Sequence, residues 1–255
     1  MADVVPSVHQ PLAIDERTTV ARAYSSWLET ILPTQCSDGS NQDGGFEIMP
    51  GSGWCDGRET AYLLGRLMAA RCWIDLIDTD QVKLEQAIQR ATAFIARRQH
   101  ADGTLDLNGG FTPNEAGFPL PALVEGYARL GALAPDLFDA IESPLRIFLQ
   151  RAAGAVMAGQ AYTANHRWAA ACAPLAAVHS LWPDDRYLRK IDDYLADGID
   201  CDAQGVWYEE RSPNYNIVAN GGLMEMAYRL DRPELLDHVV RNLRLTLYTT
   251  QPNGE

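Results

Sequence analysis

The sequence predicts an all-α fold, an incomplete α/α toroid of about nine helices arranged as successive hairpins. Three observations carry that prediction. Apolar residues recur at helical spacing along most of the chain. Strand signals are confined to short pieces such as Gly205-Val206-Trp207-Tyr208. The connectors alternate between short and long.

In residues 16–32, Val20, Tyr24, Trp27, Leu28 and Ile31 fall on one stripe, the pattern of an amphipathic helix. Comparable stripes predict helices over 58–77, 82–99, 115–131, 136–153, 166–181, 186–197, 215–230 and 233–249. Pro33 stops the first helix and Asp80 offers a cap to the third. Pro135, Pro183 and Pro233 stand near helix starts, where a missing N–H costs nothing.

Short joins between helices 2–3, 4–5, 6–7 and 8–9 predict tight helical hairpins. Longer segments, 33–57, 100–114, 154–165 and 198–214, join the hairpins in series. In an up-down series these long loops share one rim. The hairpin spacing of roughly 50 residues reads as an architectural repeat that buries apolar faces by stacking. The chain stops at Gln251-Pro252-Asn253-Gly254-Glu255, which reads as the start of a fifth long loop. Residues 1–255 are therefore expected to be one toroid domain, truncated before a C-terminal domain.

The 255 residues are 47% hydrophobic, ample for a buried core, and carry a formal net charge of −13. Such a field repels phosphate, so nucleic acid and anionic membranes are not expected partners. No apolar run is long enough to cross a bilayer. No basic region followed by an apolar stretch marks the N-terminus as a signal peptide, so a cytoplasmic location is expected, or a periplasmic one if a leader has been removed. The five cysteines, Cys36, Cys55, Cys72, Cys172 and Cys201, form no C-x-x-C pair and are odd in number. They read as free thiols, not as a disulfide framework or zinc site. Phosphate loops, serine triads and H-E-x-x-H are missing.

The sharpest chemical signal is Asn165-His166-Arg167-Trp168, followed by Glu209-Glu210-Arg211-Ser212-Pro213-Asn214-Tyr215. Each group sits where a long loop becomes a helix, at a terminus that favours anions. This suits β-elimination on a uronic acid. The C5 proton becomes removable once donors neutralise the adjacent carboxylate. Asn165 can donate to that carboxylate, and Arg211 can add charge neutralisation. His166 or Tyr215 can take the proton, and Tyr215 can protonate the leaving oxygen. Trp54, Trp168, Trp207 and Tyr208 offer faces for sugar stacking. Glu115 and Glu209 complete the expected substrate contacts. The plainer roles are a helix cap for Asn165 and packing for the aromatics. A rival reading is a toroid glycoside hydrolase using Asp43, Asp56, Asp102, Asp106, Glu115, Glu209 and Glu210. A third is a non-catalytic scaffold that binds saccharide or protein.

The motifs resemble the helical toroid of heparinase II/III-like polysaccharide lyases, including alginate and heparan lyases. The resemblance rests on Asn165-His166, on Gly205…Tyr208-Glu209…Ser212-Pro213…Tyr215 and on Pro252-Asn253-Gly254-Glu255. Gln99-His100-Ala101-Asp102-Gly103 and Pro113-Asn114-Glu115-Ala116-Gly117-Phe118 also fit it. The resemblance implies that Asn165 helps neutralise a uronate carboxylate beside His166. It implies that Tyr215 is the acid, and in some members also the base. The substrate it implies is an acidic oligosaccharide or polysaccharide. It implies no cofactor in this chain, and a further histidine, often with a metal, in a C-terminal β-sandwich domain that lies outside these residues.

Overall fold

The computed structural model describes residues 14–47, 49–107, 110–111, 114–208 and 212–250. Among them are nine α-helices: α1 (Ile14–Ile31), α2 (Gly57–Cys72), α3 (Gln81–Arg98), α4 (Leu120–Leu133), α5 (Pro135–Ala158), α6 (Ala173–Leu181), α7 (Asp185–Ala196), α8 (Pro213–Leu230) and α9 (Leu236–Thr249). A π-helix, His166–Cys172, leads into α6. The one sheet in this set is a hairpin of two-residue strands in the second long loop, β1 (Asp106–Leu107) against β2 (Gly110–Phe111). Apart from that hairpin the regular structure of the described residues is helical, as the periodicity predicts. The expected strand piece at 205–208 makes only an isolated bridge, Cys201 to Trp207.

Consecutive helices pair as hairpins: α2 with α3, α4 with α5, α6 with α7, and α8 with α9. The even helices then pack in series, α2 on α4, α4 on α6 and α6 on α8, while α3 packs on α5 behind them. That packing is compatible with a helical toroid. Between the layers lie the fully buried rings of Phe46, Phe94, Phe148 and Trp168. The helix starts are capped where short polar residues precede them. Asp56 accepts from Glu59 N–H, Asp80 from Val82 and Lys83, Asp184 from Arg186, and Ser212 from Tyr215.

The boundaries depart from the sequence expectation in four places. α2 stops at Cys72, because Trp73 leaves the helical region (φ −113°, ψ 19°) and 74–76 tighten into a 3-10 turn. α4 starts at Leu120, after Pro119, and Asn114–Ala116 form a separate 3-10 turn. The residue before a proline disfavours helical backbone, which separates the two. A further 3-10 turn, Pro233–Leu235, precedes α9. Finally, α5 runs on to Ala158 through a stretch of small helix formers, so the third inter-hairpin loop shrinks to 159–163.

Three of the four rim loops share a device for docking onto the outer helices. Gly44, Gly103 and Gly205 all have positive φ, and each lies against the backbone of an arginine, on α3, α5 and α9 respectively. An amide side chain, buried for Gln35 and Asn242 and partly buried for Gln99, then grips each glycine carbonyl. Gln35 donates to Gly44 O at 3.0 Å and to Ala87 O at 2.9 Å. Gln99 donates to Gly103 O at 3.2 Å and to Phe148 O at 3.0 Å. Asn242 donates to Gly205 O at 2.8 Å and accepts from buried Asn220 at 2.8 Å. Buried polar groups left unpaired are costly, so these amides hold the loops by satisfying carbonyls that helix packing would otherwise orphan.

Candidate active site

The site forms where the third loop enters the π-helix. A helix placing Pro174 at its second position would set the proline ring against the Ala170 carbonyl. The backbone instead widens, and Ala173 N–H donates to Trp168 O, five residues back. π turns of this kind recur at functional sites. Here the widened turn presents Asn165 and His166 at its mouth.

Asn165 does not cap the helix; its side chain makes no capping hydrogen bond. Its Oδ1 accepts from Thr163 Oγ1 at 2.6 Å, and the same hydroxyl lies 2.7 Å from His166 Nδ1. The Asn165 residue is 4% exposed. With Oδ1 used by Thr163, its Nδ2 donates no hydrogen bond among the described residues.

His166 Nε2 faces Glu115 Oε1 at 3.5 Å, and Phe118 meets the imidazole edge-on with centroids 5.5 Å apart. Arg58, from the first turn of α2, holds Glu115 Oε2 through Nη1 and Glu59 Oε1 through Nη2 at 2.8 Å. Its guanidinium also lies over the Tyr62 ring, 5.7 Å from the centroid. Burial pushes the Tyr62 phenol well above its ordinary range. Hydrogen bonding to His166, then to Arg58, holds the Glu115 carboxyl below its ordinary value, against the opposing effect of burial.

Proton counting then restricts His166. Thr163 has one hydroxyl proton. If that proton goes to Asn165, His166 Nδ1–H donates to Thr163; if it goes to His166 Nδ1, Nε2 carries the ring's own proton. In either arrangement Thr163 engages Nδ1 and Nε2 faces Glu115, so both ring nitrogens of His166 are engaged within the protein.

The depressed Glu115 pKa has a testable consequence. A carboxyl whose folded pKa lies below its unfolded value stabilises the fold above the unfolded value, 4.5, and loses that contribution as pH falls through the folded pKa. The wild type should therefore exceed Glu115→Gln in stability most near neutrality, with the gap narrowing below about pH 4. Urea unfolding midpoints of the two proteins from pH 3 to 7 check this; a gap that stays constant with pH contradicts it.

Tyr215 stands on the first turn of α8, 45% exposed, its backbone N–H donating to Ser212 Oγ at 3.3 Å. Among the described residues its hydroxyl has no hydrogen-bond partner. α8 packs against the π-helix, and Gly222 lies so close to the Trp168 backbone that a Cβ there would come within 2.5 Å of Trp168 C. Tyr215 precedes that crossing by two turns, about 10 Å of helix rise, and Asn165 precedes it from the π-helix side. Arg167 ties the same region together. Its Nη1 meets Asp200 Oδ2 at 3.1 Å in the fourth loop, and its guanidinium sits near the Trp168 and Tyr194 rings.

Two expected sugar-stacking residues are corrected. Trp168 and Trp207 are 0% and 2% exposed, packed in the core, so neither ring has a face for a ligand. Both lie beside a rim loop in sequence, but Trp168 turns inward against α8 and Trp207 pairs through its bridge with Cys201. Trp54 and Tyr208 are exposed and remain available. Glu115 belongs to the site through Arg58 and His166. Glu209, Glu210 and Arg211 lie outside the described residues, as does the Asp106 side chain. Of the remaining acidic candidates, Asp56 caps α2 and Asp102 accepts from Thr104 N and Oγ1. Asp43 contributes its backbone oxygen to Arg97.

Arg58, Thr163 and Tyr62 were not singled out by the sequence. Nothing in their local composition marks them, and only the fold brings the start of α2 to the third loop. Among the described residues no three His, Cys, Asp or Glu side chains gather to hold a metal ion, and no helix is long and apolar enough to cross a membrane. No family model matches the chain, and neither a curated protein nor a solved structure matches it.

Proposed function

We propose that the chain carries the catalytic residues of a lyase that cleaves a uronic-acid-containing glycan by β-elimination. The observation that supports this most is the Thr163-supported Asn165–His166 pair at the mouth of the π-helix, with an amide N–H that has no hydrogen-bond partner among the described residues. In this reading the Asn165 amide draws charge off the uronate carboxylate, and His166 braces that amide through the shared Thr163 hydroxyl. Glu115 and Arg58 keep the imidazole oriented, and Arg58 already compensates the Glu115 charge. With His166 occupied, proton transfer falls to Tyr215. Its phenolate oxygen takes the C5 proton and returns it to O4 as the glycosidic bond breaks. The products are a C4–C5 unsaturated sugar and a chain with a new hydroxyl, and no water is consumed.

A hydrolase would need one carboxyl held protonated. Glu115 is driven the other way, which favours the lyase. The test is incubation of the chain with soluble polyuronates and with their methyl esters, following the ultraviolet band of the C4–C5 double bond. The expected result is a rising band with the free uronates and a much weaker one with the esters. New reducing ends without that band would replace the reading with a hydrolase, and neither signal would remove it.

A further inference from the structure

Two thiols at the base of the first rim loop take no part in the chemistry above. Cys36 follows the 3-10 turn after α1, and Cys55 precedes the Asp56 cap of α2. Their Sγ atoms are 3.2 Å apart, although the residues are separated by most of a loop. The backbone holds both positions. Cys36 N–H donates to Gly45 O and Gly44 N–H to Cys36 O, each at 2.9 Å. Cys55 N–H donates to Gln42 Oε1 at 3.2 Å, and isolated bridges join Gln35 to Phe46 and Glu47 to Cys55. Cys36 is partly exposed and Cys55 is fully buried. Among the described residues no other pair of cysteine sulfurs is in contact.

We propose that Cys36 and Cys55 are a disulfide-forming pair, oxidised through Cys36 by a low-molecular-weight or protein disulfide. The reachable Cys36 thiolate attacks one sulfur of the oxidant, forms a mixed disulfide and expels the other sulfur as a thiolate. Cys55 gives up its proton and attacks Cys36 Sγ, expelling the second oxidant thiolate. Two cysteine thiols and one disulfide become one cystine and two thiols, so the two electrons pass to the oxidant. Burial pushes the Cys55 thiol up to about 12, which fits Cys36 as the attacking sulfur and Cys55 as the resolving one. The bond closes the first rim loop at its base. Because Cys55 leads directly into Asp56 and Arg58, it also fixes the segment that delivers Arg58 to Glu115.

The test exposes the full chain to glutathione disulfide, quenches with acid, alkylates in denaturant and maps the peptides by mass spectrometry. Thermal unfolding of the oxidised and reduced forms is measured in parallel. The expected result is a Cys36–Cys55 cross-linked peptide with Cys72, Cys172 and Cys201 alkylated. The oxidised form should melt higher than the reduced form, and Cys36→Ser should lose both the cross-link and the redox-dependent difference. Alkylation of both Cys36 and Cys55, glutathione left attached to either, or a bond to another cysteine overturns the proposal. If Cys36→Ser does not fold, the wild-type peptide map decides alone.

Discussion

Tyr215→Phe is expected to lower turnover on a uronate glycan by about 10²–10⁴-fold, the range lost with a general acid or base. The fold should be unchanged. The residue is exposed on the first turn of α8, and its hydroxyl has no hydrogen-bond partner among the described residues, so deleting one oxygen breaks nothing. Steady-state rates and far-ultraviolet melting curves of the two proteins check both halves. Unchanged turnover in Tyr215→Phe would remove the phenol from the mechanism, and a large loss of melting temperature would show that it acts through structure.

Gly205→Ala is expected to destabilise the chain by about 2–4 kcal/mol, among the larger single-site effects. Gly205 has φ +92°, where an L side chain is strained, and a Cβ would come within 2.4 Å of Arg241 O and 2.8 Å of Asn242 N. The obstruction is backbone, which cannot swing aside. Movement of the loop would also strip the buried Asn242 amide N–H of its acceptor, Gly205 O. The fourth loop continues into Ser212 and Tyr215, so the variant should lose activity at temperatures where its helices are still folded. Denaturant unfolding measures the first effect. A change under about 0.5 kcal/mol, the level of an ordinary surface substitution, would show that this loop is not docked as described.

The helices were legible because their evidence is local. Stripes such as Val20, Tyr24, Trp27, Leu28 and Ile31 repeat at helical spacing, and Asp80 lies where a cap belongs. What escaped the sequence is non-local. The glycine–amide docking joins Gln35 to Gly44 and Ala87, and Asn242 to Gly205, across stretches of chain that show no common pattern. The π turn follows from Pro174 meeting a helix already begun at Ala164, which no periodicity reveals. Trp168 and Trp207 were misjudged because nearness to a loop in sequence does not say which way an indole turns. The Asn165–His166 pair was visible as a motif. Its partners Arg58, Glu115 and Thr163 come from three segments, and only Glu115 lies in a motif that the sequence marks.

The reading stands or falls on one saccharide ring touching two hairpins at once. Titrating a saturated uronate oligosaccharide into protein labelled at histidine and tyrosine, and following the His166 and Tyr215 ring resonances, addresses this without requiring turnover. The account predicts that both resonances move with a common Kd and that a neutral oligosaccharide of the same length moves neither. Movement of only one ring, or of neither, at saturating uronate would contradict it.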